Sequence, residues 1–271
     1  MLTSLFSGVP LGILSIKMFT TAFVVMAVAW SVGIFGPLIG GAIAGLPIIL
    51  GPGFYFLVTQ ESVSFIHQAA IYSLLSMCAT QFFLLAYIAT ARTGKPWLSL
   101  GCAFLSWVTA IFLFQLLPIR LMVFIVLFLI TTSGCQYLGA KYLTSESTAK
   151  GNAGFALLLA RGLLAGVLVA AVTTASQWLG PVGAGLLLAF PVGFTVVSVT
   201  IHQKFGANSV IATLHSAMLG TASLAGFCIA MASTVLYLPP MAAFVIAMAV
   251  SSFITLGLVF RHRIPAMFKR L

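Results

Sequence analysis

The sequence predicts an all-α, polytopic membrane protein of about nine transmembrane helices, built as two inverted-topology repeats of five and four helices with proline-broken helices. Three observations carry this expectation. The 271-residue chain is 62% hydrophobic and only 5% charged, whereas ordinary soluble domains carry about 25% charged residues. Several apolar runs are each long enough to cross a bilayer. One stretch, GPVGAGLLLAFPVGFTVVSVTIHQ from Gly180 to Gln203, has an earlier counterpart in GPLIGGAIAGLPIILGPGFYFLVTQ from Gly36 to Gln60.

Nine spans follow from the apolar runs and their punctuation: residues 11–33, 36–58, 64–91, 97–116, 119–139, 153–178, 181–203, 207–235 and 239–260. Gly-Pro, Gly-Lys-Pro and Pro-Pro stand at the joins, as helix breakers do. The first span lacks a basic segment before it, so it is expected to remain as a helix rather than to be cleaved as a signal peptide. Residues 1–139 then form a first transmembrane repeat, 140–152 a polar cytoplasmic linker, 153–260 a second, inverted repeat, and 261–271 a basic cytoplasmic tail.

Charge sets the orientation. With the C-terminus in the cytoplasm, the inner segments hold Arg92, Lys95, Lys141, Lys150, Lys204, Arg261, Arg263, Lys269 and Arg270, and the outer segments only Arg120. This positive-inside bias calls for an odd number of spans with the N-terminus outside. The net charge of +10 therefore reads as a topology signal, not as a nucleic-acid footprint. The four cysteines lack ligand spacing, so neither disulfides nor a metal site is expected, and no cofactor motif is present.

The repeat is regular in detail. In both copies a Gly-Pro pair opens an apolar stretch and a second proline follows, Pro47 in the first and Pro191 in the second. A lone basic residue precedes each pair, Lys17 and Arg161, and a histidine follows each, His67 and His215. The copies start at spans one and six, an odd displacement that turns one upside down relative to the other. Inverted repeats of this kind recur in secondary transporters.

Proline at mid-span frees backbone groups that lipid cannot satisfy. Pro47 and Pro191, with Gly51-Pro52-Gly53 as a further break in the first copy and with Gly193 and Thr195 nearby, thus mark a candidate midplane binding site. The alternative is a pair of packing kinks lined by small residues. Lys17 and Arg161 either draw an anionic group toward that site or extend their charges to the nearer interface. Glu61 is either a counter-ion and proton acceptor or a solvated loop residue. His67 and His215 are candidates for proton coupling, since histidine titrates near neutral pH, or else helix-bridging hydrogen-bonders.

At LLLAFPVGF (186–194) and AIAGLPIIL (42–50) the chain resembles the GlpM-type small bacterial inner-membrane proteins, with Leu46 in place of the phenylalanine in the first copy. The resemblance implies two four-helix-like units fused in opposite orientation and a bacterial inner-membrane location.

The expected function is a secondary transporter or exporter, working by alternating access on a small organic anion or an anionic amphiphile. A phosphate-binding loop is missing, so proton coupling or facilitated passage would drive it. Enzymatic activity is not expected: paired carboxylates, HExxH and GxSxG are all missing. The competing expectation is a non-transporting membrane subunit or assembly partner. Beyond the bilayer and the anionic substrate, small-residue faces permit a homodimer, and no nucleic-acid partner is expected.

Overall fold

A computed structural model describes the backbone over residues 50–144 and 155–268, together with Phe19, Phe23 and Pro47. The sequence motifs at Gly36 and Lys17 lie outside the described residues. Those described are all-helical, without strands. In chain order the helices are α1 (Leu50–Gln60), α2 (Val63–Thr90), α3 (Pro96–Phe114), α4 (Leu121–Ala140), α5 (Phe155–Thr174), α6 (Ser176–Leu188), α7 (Val192–Thr234) and α8 (Pro240–Phe268).

The ends of these helices follow from their sequences. The Ser62 hydroxyl caps α2 by accepting from the Phe65 N–H at 3.3 Å. A 3₁₀ turn, Ala91–Thr93, leaves α2 and closes on Gly94 at φ 71°, and Pro96 then opens α3 at a position where its missing N–H costs nothing. Inside α7, Gly206 takes φ 80° and ψ 180°, so the helix is two segments, 192–205 and 207–234, meeting at a sharp joint. That backbone is open only to glycine.

Five segments are long and apolar enough to cross a membrane: Val63–Thr93, Pro96–Phe114, Leu121–Ala140, Trp178–Thr234 and Pro240–Leu258. Their burial sorts them. The apolar stretch of α2 is 72% buried, against 28% for α3 and 22% for both α4 and α8. Helix α2 is therefore the hub, touched by α3, α4, α6 and α7, while the outer helices turn Phe112, Leu129 and Phe253 outward. Large apolar side chains on an outer surface are unfavourable in water and favourable against lipid. This is the surface of a membrane protein.

Hydrogen bonds fix which helix ends lie together. Arg92 donates through Nη2 to the Tyr142 carbonyl at 2.9 Å, joining the end of α2 to the end of α4. His67, near the start of α2, bonds the Ala232 carbonyl near the end of α7 at 2.8 Å. Arg92, Lys95 and Lys141 consequently share one end of the bundle, and Glu61 lies at the other.

Candidate functional site

Pro191 stands in a break. The end of α6 unwinds at Ala189, Pro191 has φ −74° and ψ 49°, and α7 starts at Val192. The expected span 181–203 is thus broken at Pro191 into two half-helices. Pro47 is also non-helical and buried, just ahead of α1. The two prolines play one local role: the Gly51 N–H donates to the Pro47 carbonyl at 2.6 Å, and the Thr195 N–H to the Pro191 carbonyl at 2.9 Å. Each proline carbonyl therefore accepts a bond from the first turn of the helix that follows.

This corrects the reading of Gly51-Pro52-Gly53 as a further break. These residues form the first turn of α1, where proline is tolerated because the first N–H groups of a helix have no partner within it. Gly53 instead permits a close approach: a side chain there would meet the Leu188 side chain. Helix α1 therefore starts alongside the point where α6 ends.

The backbone groups freed by the break are partly satisfied from α2. Ser73 donates to the Gly185 carbonyl at 2.9 Å and Ser76 to the Leu186 carbonyl at 3.1 Å. The Ala189 N–H also reaches the Gly185 carbonyl, at 3.3 Å, and the Phe190 N–H goes to Leu187. Helices come this close only because Gly185 has no side chain; a Cβ there would press on the Ala69 carbonyl and on the Tyr72 side chain. On the far side the Phe190 ring packs edge-on against Trp107, with centroids 5.0 Å apart. Gly193 and Thr195 are half-buried on the first turn of α7, and the Thr195 hydroxyl donates back to the Pro191 carbonyl at 2.9 Å.

The remaining candidates are dispersed. Arg161 lies on α5, which touches α1, α6 and α7. Lys17 lies outside the described residues. Glu61 occupies the connection between α1 and α2. His67 and His215 are half-buried and bridge helices through backbone carbonyls: His67 to Ala232, and His215 Nε2 to Gln136 at 3.1 Å. Gln136 returns a bond from its side-chain amide to the His215 carbonyl at 2.7 Å. A carbonyl only accepts, so the bonding nitrogen of each ring carries the proton.

Two further residues, which the search for repeat-equivalent positions did not single out, lie on the segment that follows the break. His202, on the 192–205 segment, is 5% exposed, and its Nδ1 lies 3.2 Å from the hydroxyl of the fully buried Tyr87. Ser198, one turn before His202, is buried beside the same hydroxyl. A search for repeat-equivalent positions passes over His202, because the first copy has Val58 there. Its signal was simply that of an ionisable residue in an apolar span.

No family model matches the chain, and no curated protein or solved structure is similar to it.

Proposed function

We propose that this protein is a secondary transporter or exporter of a small organic anion or an anionic amphiphile, working by alternating access around the paired helix breaks. The observation that carries the reading is that a buried, non-helical proline stands just ahead of each of two helices, Pro47 ahead of α1 and Pro191 ahead of α7, with Gly53 on α1 packed against Leu188 at the end of α6, just before Pro191. Each such helix start carries the positive end of a helix dipole. Half-helix N-termini turned toward an anionic substrate group are a recurring transporter device. Lys17 and Arg161 belong to the same reading, as cations that favour an anion over a cation.

The finer architecture is inferred with it: nine spans, a five-plus-four inverted repeat, and two GlpM-like units fused in opposite orientation. The location is the bacterial inner membrane, with the N-terminus outside and the basic tail in the cytoplasm. Proton coupling fits a chain with two glutamates and no aspartate, which cannot build a carboxylate-rich sodium site.

One observation favours the alternative of a non-transporting subunit. Ser73 and Ser76 already occupy the Gly185 and Leu186 carbonyls, as they would at a mere packing kink. The two readings separate on water access. Thr195→Cys and Ser198→Cys, each placed singly in a chain whose four native cysteines are replaced, are labelled with a membrane-impermeant thiol reagent from either side. Labelling slowed by candidate anions supports transport. A complete lack of labelling from both faces leaves the kink and sinks the site.

A further inference from the structure

We propose that His202 is the residue through which proton binding moves the 192–205 segment against α2, and so opens the break at Pro191 to one side of the membrane. The inference rests on the transport reading and adds a named coupling residue to it. The repeat-equivalent histidines, His67 and His215, each donate to a backbone carbonyl, a donor role that the protonated ring keeps.

His202 differs in its partner and its place. Nδ1 faces a hydroxyl, that of Tyr87 at 3.2 Å, which can donate to a neutral ring but must accept from a protonated one. Ser198 and the Ala91 carbonyl complete the surroundings. The segment that carries His202 is bounded by two non-helical joints, Pro191 at one end and Gly206 at the other. Rigid segments between two such joints are the parts that move in hinge closures.

Electrostatics gives the motion its direction. Among the described residues, the charged groups at this end of the bundle are Arg92 after α2, Lys95 before α3, Lys141 after α4, Lys204 on the segment itself, and Arg261 and Arg263 on the last turns of α8. All are cations, and Glu61 lies at the opposite end of α2. A buried imidazolium here would lose its hydration, and among the described residues no carboxylate lies at this end to offset the loss. The packed state therefore holds a neutral ring, and a proton binds better once the segment has moved away from Tyr87 and let water in. By linkage, a proton that prefers the separated state shifts the population toward it as pH falls. Gly193 and Thr195 ride on the same segment, so its displacement uncovers the break from the end bearing Arg92.

The test uses the full chain in bilayer nanodiscs. Imidazole ¹⁵N signals are followed from about pH 5 to 8, the range in which histidine switches, and that of His202 is identified by its loss in His202→Gln. In parallel, labelling of Thr195→Cys from the Arg92 side is divided at each pH by that of Gly94→Cys, an exposed control that cancels the thiolate fraction. We expect His202 to titrate, the normalised labelling to rise at least about fivefold toward low pH, and the rise to vanish in His202→Gln. Tyr87→Phe, which keeps the ring and removes the hydroxyl, should raise labelling already at high pH; it carries the test should His202→Gln not fold. A pH-independent His202 signal, or a pH response that survives in His202→Gln, overturns the proposal while leaving the site in place. Thr195→Cys unlabelled at every pH overturns the site and the proposal together.

Discussion

The Ser73 hydroxyl on α2 donates to the Gly185 carbonyl on α6 across a contact so close that Gly185 has no room for a side chain. One turn along, Ser76 repeats the bond to Leu186. Together they show how a membrane helix can stop at Ala189 without leaving bare carbonyls in lipid. The two serines are not equivalent, because the Gly185 carbonyl has a second donor in the Ala189 N–H whereas the Phe190 N–H turns away to Leu187.

That asymmetry is measurable. Ser73→Ala removes one of two donors and should cost about 0.6 kcal/mol, typical of interhelical hydrogen bonds in membranes. Ser76→Ala leaves the Leu186 carbonyl without that donor and should cost about 1–3 kcal/mol. Reversible unfolding in mixed micelles, comparing both variants with the parent, checks the order. Equal losses would mean that a further donor reaches Leu186.

The glycines of the bundle divide by what surrounds them. Gly185→Ala must push α6 from α2, since the obstacle is the Ala69 backbone, and a loss of about 1–3 kcal/mol is expected for such overpacking. At Gly101 a Cβ would meet nothing within 4 Å, so Gly101→Ala should be neutral or stabilising by up to about 1 kcal/mol through helix propensity. Gly53→Ala is intermediate, its obstacle being the end of the Leu188 side chain, and Leu188→Ala should restore part of the loss. Thermal unfolding of the four variants reads this out. A tolerated Gly185→Ala would contradict the close approach.

How far the sequence revealed this can be judged residue by residue. The helical class and the presence of long apolar helices were legible because composition and run length alone decide them. The interruption at Pro191 was legible because proline lacks the N–H that a continuous helix needs. Gly51-Pro52-Gly53 misled for the converse reason: the same residues are harmless in a first turn, and only the position of the helix start tells the two apart. The joint at Gly206 fell between two expected spans, yet its positive φ could not be read from a glycine alone. His202 and Tyr87 stayed hidden because their meeting joins residues 115 apart on different helices, and nothing in either local sequence announces the other.

Sidedness ties these observations to the bilayer. The Arg92–Tyr142 bond places the turn after α2 beside the segment after α4, and the His67–Ala232 bond places the start of α2 beside the end of α7. Gly94 and Leu143 are exposed at the first end, Ser62 and Leu238 at the second. Single cysteines at these four positions should fall into two pairs, each labelled by an impermeant reagent from one face only. By the positive-inside rule, Gly94→Cys and Leu143→Cys should be the pair labelled from the cytoplasmic side. Opposite pairing of sides with the pairs intact would invert the orientation but keep α2 as a span. Labelling of Ser62→Cys and Gly94→Cys from the same face would mean that α2 does not cross the membrane, despite a length of 28 residues and about 42 Å at 1.5 Å per residue, and the two-sided arrangement on which alternating access depends would go with it.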